Sequence, residues 1–107
     1  MNITINIDNK RIRELISEAS SRYWARDLVF IGNTCTFSIV EHGDPRTPDK
    51  KHRVTCAMVR AGLTKMANVA LDEGGYHFAA IRDWRQSDGY TGDAIIQFAV
   101  FGELKYG

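Results

Sequence analysis

Hydrophobic and polar residues alternate at the start of the chain and then change to a helical spacing. Ile3, Ile5 and Ile7 are separated by polar residues, and this period of two predicts a short strand with one buried face. Apolar residues then recur every three or four positions behind an Asp-Asn pair, whose side chains can cap the free N–H groups of a helix. We therefore expect a strand followed by an α-helix over residues 9–24.

The next segment has the pattern of a β-hairpin. Residues 27–42 contain two runs rich in Val, Ile, Phe and Thr, and a Gly-Asn pair stands between them. In the second run Cys35, Phe37 and Ile39 alternate with hydroxyl side chains. Glu41 falls at the next position on their side. The second strand is therefore expected to have one apolar face and one mostly hydroxyl face.

A long central helix is predicted behind this hairpin. Thr47 supplies a capping hydroxyl, Pro48 has the backbone angle of a first helical residue, and Asp49 favours the positive end of the helix dipole. An apolar stripe at helical spacing follows, and a Gly-Gly pair at 74–75 marks the end of the helix. We expect a further short helix over residues 76–85.

The C-terminal pattern has almost no polar face. Thr91 is a suitable cap and Asp93 lies where a carboxylate favours the helix dipole, so a helix is predicted over residues 91–102. Apolar side chains surround nearly the whole of it. Such a helix is stable only when neighbours cover it, so we predict that it organises the core. The alternative is a homo-oligomer in which copies of the chain meet through this helix.

Composition places these elements in one globular domain. The chain has 107 residues, of which 44% are hydrophobic and 25% are charged, as is typical of a single folded domain. The predicted fold class is α+β, with three or four helices packed on a small antiparallel β-sheet or hairpin. No apolar run approaches the roughly 20 residues that cross a bilayer, so we expect a cytoplasmic protein without a membrane partner.

The residues that could bind a metal ion or perform catalysis form no standard motif. Cys35 and Cys56 lack a CxxC spacing and are expected to be reduced thiols. Together with His42 and His52 they are zinc-ligand types, but their spacing matches no standard zinc pattern, and their convergence is left open. The sequence contains no P-loop, nucleophile elbow or dinucleotide-binding motif. We therefore predict no catalytic residue, no metal and no cofactor.

Several stretches of the chain resemble a family of small proteins encoded by phages and prophages. They are RYWA at 22–25, HRVTCAMVRAGLTKMA at 52–67, YHFAAI at 76–81 and the C-terminal YTGDAIIQFAVFGELKYG. The resemblance implies a phage origin and the cytoplasm of a bacterial host, but no established activity or catalytic residue. Small phage proteins without enzymatic motifs commonly act by binding. The resemblance thus suggests an anti-defence inhibitor of the anti-CRISPR type that docks on a host protein complex.

Aromatic and arginine side chains are the candidates for such a docking surface. These residue types are enriched where protein interfaces concentrate their binding energy. Trp24 and Trp84 have an alternative role in the core, because a large ring near a helix end usually packs inward. The same rings and arginines would also suit a pocket that sequesters a nucleotide. The candidate binding residues are Tyr23, Trp24, Arg26, Arg82, Trp84, Arg85 and Tyr90.

A basic cluster makes nucleic acid the alternative partner. Lysines and arginines are concentrated between residues 46 and 60, and such charges bind backbone phosphates. The formal net charge of the whole chain is only +1, which gives no general attraction for a polyanion. The residues of this alternative site are Arg46, Lys50, Lys51, Arg53 and Arg60.

Overall fold

Three helices and a three-stranded sheet make up the described part of the chain. The computed structural model describes residues 7–19, 24–43, 45–73 and 89–106. The predicted α+β class is confirmed. The strand expected around Ile3 and Ile5 lies outside the described residues, and so does the short helix expected over 76–85. The elements in chain order are α1 (Asn9–Ser17), β1 (Ala25–Phe30), β2 (Phe37–Glu41), β3 (Lys50–Val54), α2 (Cys56–Glu73) and α3 (Gly89–Phe101).

The strands pair in the order β1-β2-β3, and both pairings are antiparallel. The predicted hairpin is confirmed, since β1 and β2 are neighbours and the turn between them contains Gly32 with a φ of +69°. Burial alternates along β2, where Phe37, Ile39 and Glu41 are buried and the residues between them are half-buried. The apolar face predicted for this strand is therefore the one that packs on the core.

The predicted start of the central helix at Thr47, Pro48 and Asp49 is wrong. These residues lie in the connection to β3, which adds to the sheet beside β2. The capping and proline signals are local, whereas the strand gains a ladder of backbone hydrogen bonds along β2. It also buries Val54 opposite Phe37. The free edge of β2 therefore decides the structure of this segment.

Helix α2 begins only at Cys56. The Thr55 hydroxyl caps it, accepting a hydrogen bond from the Met58 N–H at 3.2 Å. The predicted apolar stripe is confirmed at Val59 and Leu63, which are both fully buried. The helix is described as far as Glu73, and the Gly-Gly pair that is predicted to end it lies outside the described residues.

Helix α1 is shorter than predicted and ends at Ser17. Its N-terminus is capped as expected, because the Asp8 side chain accepts a hydrogen bond from the Arg11 N–H at 2.8 Å. The far end of the predicted helix is wrong. There the Trp24 carbonyl accepts a hydrogen bond from the His42 N–H at 2.9 Å, which joins this residue to the end of the sheet. Pairing with a distant segment thus overrides the local helical spacing.

Helix α3 lies in the core, as its apolar pattern predicts. Every residue from 92 to 98 is buried. A Cβ atom on Gly62 of α2 would lie 2.7 Å from the backbone N of Ala99, and one on Gly92 would collide with the carbonyl oxygen of Leu15 in α1. Backbone contacts of this kind bury α3 from two sides. Among the described residues no helix has the length and apolarity needed to cross a membrane.

Candidate functional site

The structure divides the aromatic and arginine candidates for a docking surface. Trp24 has an exposed fraction of 0%, so its assignment to a contact surface is wrong and the alternative role in the core is correct. Arg26 is exposed and forms an ion pair with Asp49. The remaining candidates lie outside the described part of the chain: Tyr23, Arg82, Trp84, Arg85 and the side chain of Tyr90.

The basic candidates for a nucleic-acid site are also separated. Lys51 and Arg53 lie two residues apart on β3 and share one side of it, whereas Lys50 alternates to the other side. Arg60 donates hydrogen bonds to the Ile7 carbonyl and to the side chain of Asn9 at the start of α1. Arg46 lies in the connection between β2 and β3. Of the five residues, Lys51 and Arg53 are the two that the sheet places side by side.

Lys51 and Arg53 belong to a surface formed by all three strands. Directly paired residues of antiparallel strands lie on the same side of the sheet. Lys51 pairs with Val40, which pairs with Arg26. Arg53 pairs with Ser38, which pairs with Val29. Arg26 and Val29 are three positions apart, and the bulge between them in β1 places both side chains on the same side of the sheet as Lys51 and Arg53. We define the outer sheet face as Arg26, Val29, Ser38, Val40, Lys51 and Arg53.

The outer sheet face has a surplus of positive charge. Arg26 is paired with Asp49 and lies 3.8 Å from a carboxylate oxygen of Asp27. Within the described ranges no acidic side chain forms an ion pair with Lys51 or Arg53, and both are exposed. An acidic protein surface could therefore form ion pairs with Lys51 and Arg53 without first breaking an ion pair within this chain.

A second candidate site lies on the opposite side of the sheet, where the residues after α3 reach the end of β2. Glu41 is buried there, with an exposed fraction of 8%. Its Oε2 atom accepts hydrogen bonds from the Tyr106 hydroxyl at 2.5 Å and from Lys105 Nζ at 3.0 Å. Its Oε1 atom lies 2.9 Å from His52 Nε2. We call Glu41, His52, Lys105 and Tyr106 the tail cluster.

The contacts in the tail cluster fix the charge states of Glu41, Lys105 and Tyr106. Burial raises the pKa of the Glu41 carboxyl, but the hydrogen bonds from Tyr106, His52 and Lys105 together outweigh burial and lower this pKa to about 2. The hydrogen bond to Glu41 raises the pKa of the Tyr106 phenol, and burial adds to the effect. The same type of bond to Glu41 raises the pKa of Lys105. At neutral pH the cluster therefore contains a carboxylate, an ammonium group and a neutral phenol.

An aromatic stack supports the tail cluster from the core. The rings of Trp24 and Tyr106 are stacked, with centroids 5.2 Å apart and an interplanar angle of 7°, and Phe101 packs beside both. Asp93 accepts hydrogen bonds from Trp24 Nε1 at 2.7 Å and from Gln97 Nε2 at 2.9 Å. Gln97 in turn accepts from the Tyr106 N–H at 2.8 Å. The predicted role of Asp93 at a helix start is wrong, because α3 begins earlier and this carboxylate anchors Trp24.

A cleft opens beside the tail cluster. Its volume is about 480 Å³. Glycine at position 43 lets the backbone lie close to the side chain of Tyr106, since a Cβ atom on residue 43 would be 2.6 Å from the Tyr106 hydroxyl oxygen. Its lining includes Glu41, His42, Thr47, Lys50, Lys105 and Tyr106.

The cysteine and histidine candidates do not form a metal site in the described residues. Cys35 and Cys56 are paired as a disulfide with Cα atoms 5.2 Å apart, so the expectation of two free thiols is wrong. His52 belongs to the tail cluster and His42 to the wall of the cleft. Groups of three potential metal ligands are absent from the parts of the chain that the structure describes. The four residues therefore do not converge.

Sequence reasoning missed the tail cluster as a site. The alternation along β2 places Glu41 on the buried side, and a buried carboxylate requires hydrogen-bond donors. That signal was available, but it does not identify the donors. Two of them, Lys105 and Tyr106, come from the other end of the chain.

Comparison with protein families, with curated proteins and with solved structures found no match to this chain. The resemblance to small phage proteins therefore stays a prediction.

Proposed function

We propose that this protein is a non-enzymatic, phage-encoded anti-defence protein that inhibits a host complex by occlusion. The observation that carries a binding role is the outer sheet face, where Lys51 and Arg53 stand side by side and exposed. Val29 adds an apolar side chain with an exposed fraction of 57%. This combination fits an acidic protein surface with an apolar centre. The phage origin and the defence target rest on the family resemblance alone.

The electrostatics of the tail cluster support a role without turnover. A general base is effective when its pKa lies near the working pH. The pKa of Glu41 is lowered to about 2, and three hydrogen-bond donors already occupy its two oxygens. This carboxylate is suited to holding the chain together, not to removing a proton from a substrate.

Nucleic acid is the second candidate partner, because the same two cations could bind phosphates. The Ser38 side chain between Arg53 and Val29 adds a hydroxyl that can donate to a phosphate oxygen. If nucleic acid is the partner, its affinity for this protein should fall steeply as the salt concentration rises.

A matched pair of charge-reversal variants tests the proposal. Tagged wild-type protein, the variant K51E/R53E and the control K10E/K65E are used to capture partners from nuclease-treated bacterial lysate. Both variants make the same change in net charge, and all four residues are exposed. We expect one protein complex to be captured by the wild type and the control but not by K51E/R53E.

Three outcomes would contradict this proposal. Recovery from untreated lysate that is lost after nuclease treatment would identify nucleic acid as the partner. Equal recovery by both variants would show that the outer sheet face is not the contact surface. Capture of no protein by the wild type would leave no host complex to inhibit.

A further inference from the structure

The disulfide between Cys35 and Cys56 joins two segments that are also held together without it. Cys35 lies in the turn before β2, and Cys56 is the first residue of α2. Close to this link Phe37 pairs with Val54 in the sheet, and both are fully buried. Arg13 in α1 donates hydrogen bonds to two carbonyl oxygens of the same turn. These contacts do not depend on the sulfur–sulfur bond, so we expect the chain to stay folded when that bond is broken.

The two cysteines differ in their access to solvent. Cys35 has an exposed fraction of 0%, whereas Cys56 is half-buried. In thiol–disulfide exchange, the incoming sulfur atom must reach one of the two sulfur atoms of the protein. In the folded protein Cys56 is therefore the cysteine that a small sulfur compound meets first.

Each cysteine has a polar neighbour that can bind its reduced form. The Thr36 hydroxyl oxygen lies 3.3 Å from Cys56 Sγ and can donate a hydrogen bond to a thiolate. The Asn9 Oδ1 atom lies 3.7 Å from Cys35 Sγ and can accept a hydrogen bond from a thiol. Because Cys56 begins the 18-residue α2, the positive end of the helix dipole also favours an anion at this cysteine. The surroundings thus suit a thiolate at Cys56 and a neutral thiol at Cys35.

We propose that Cys56 is a thiol–disulfide exchange site and that Cys35 is its resolving partner. Accessible thiolates with a second cysteine beside them are the usual arrangement of reversible redox pairs. The co-reactants are small disulfides and thiols, of which the oxidised and reduced forms of glutathione are examples. This chemistry does not depend on whether the outer sheet face docks on a host complex.

Oxidation of the pair takes two steps. The Cys56 thiolate attacks oxidised glutathione, a mixed disulfide forms, and one glutathione thiolate leaves and takes up a proton from water. Cys35 then loses its proton to water and attacks Cys56 Sγ, which releases the second glutathione and forms the Cys35–Cys56 bond. The pair loses two electrons, and oxidised glutathione gains them. Reduction by two thiols follows the same steps in reverse.

Single-cysteine variants of the full chain test the two roles. Cys35→Ala leaves Cys56 as the only thiol, and Cys56→Ala leaves only Cys35. In native buffer we expect oxidised glutathione to form a mixed disulfide at least about tenfold faster with Cys35→Ala than with Cys56→Ala, because buried thiols are inert. Intact mass measures the reaction. In concentrated urea both variants should react at similar rates. Equal native rates, or faster reaction of Cys56→Ala, would overturn the assignment.

The wild type tests whether the couple is reversible. Oxidised and reduced samples are equilibrated in a series of glutathione redox buffers, and the fraction of disulfide is measured by alkylation of free thiols and mass spectrometry. We expect both samples to reach the same curve, and we expect the reduced protein to keep its near-ultraviolet circular dichroism. A reduced chain that loses this signal, or that does not form the disulfide again, would overturn the proposal.

Discussion

The hydroxyl oxygen of Tyr106 lies 2.5 Å from a carboxylate oxygen of Glu41, although the two residues are 65 positions apart in the chain. This bond holds the segment after α3 against the end of the sheet. Because Trp24 stacks on the same tyrosine, the contact connects the core to the wall of the cleft. One buried carboxylate therefore contributes both to the stability of the tail and to the shape of the cleft.

Replacing that carboxylate should destabilise the protein. Glu41→Gln keeps the shape of the side chain but removes its negative charge. It also replaces one acceptor oxygen with an NH₂ group, which cannot accept a hydrogen bond from His52, Lys105 or Tyr106. We expect the free energy of unfolding to fall by roughly 1.5–3 kcal/mol, the usual range for hydrogen bonds to a charged group. Urea denaturation followed by circular dichroism measures it. Glu103→Gln is the control, since Glu103 lies in the same tail and is exposed. Equal stability of the two variants would contradict this role for Glu41.

The same carboxylate predicts a pH dependence. The pKa of Glu41 in the folded protein is about 2, below its ordinary value of 4.5, so the unfolded state binds a proton more readily. The stabilisation is therefore complete above pH 4.5 and is lost as the pH falls toward 2. At about 1.4 kcal/mol per unit of pKa difference, the loss of stability is at most about 3.5 kcal/mol. Urea titrations from pH 2.5 to 7 should show a stability difference between wild type and Glu41→Gln that shrinks toward acid. A constant difference would be inconsistent with this pKa.

The contact between α2 and α3 predicts that alanine at position 62 is harmful. A Cβ atom there would lie 2.7 Å from the backbone N of Ala99, which cannot move without shifting α3. We expect Gly62→Ala to cost about 1–3 kcal/mol, the usual penalty for overpacking, even though alanine favours helices over glycine. Ala61→Gly on the exposed side of α2 should cost only about 1 kcal/mol, from helix propensity. Thermal melting compares the two. A melting temperature of Gly62→Ala at or above that of the wild type would disprove the close contact.

The disulfide predicts sensitivity to reductants. Cys35 and Cys56 are separated by 21 positions, and closing a loop of this length stabilises a protein by about 3 kcal/mol. We expect dithiothreitol to lower the melting temperature of the wild type. The variant C35A/C56A should melt at a lower temperature and should not respond to the reductant. A wild type that melts identically with and without dithiothreitol would show that the pairing contributes nothing.

The candidate site was only partly predictable. Alternation along β2 indicates that Glu41 is buried, but nothing local to it indicates that Tyr106 is its partner. The pattern around Trp24 is compatible with both a core and a contact role, and Asp93 in α3 decides between them. Lys51 and Arg53 are recognisable as basic residues from the sequence. Their common exposed side becomes evident only once β3 is known to be a strand.

The sequence by itself determines the hairpin and the buried character of α3. Strict alternation and an apolar pattern around a whole helix are local properties that require burial whatever the neighbours are. Only the tertiary structure decided that residues 50–54 form a strand, that α1 stops at Ser17 and that Glu41 anchors the C-terminal tail. Each of these depends on a partner far along the chain. There, the backbone and side-chain hydrogen bonds gained by pairing outweigh the weaker preferences of the local sequence.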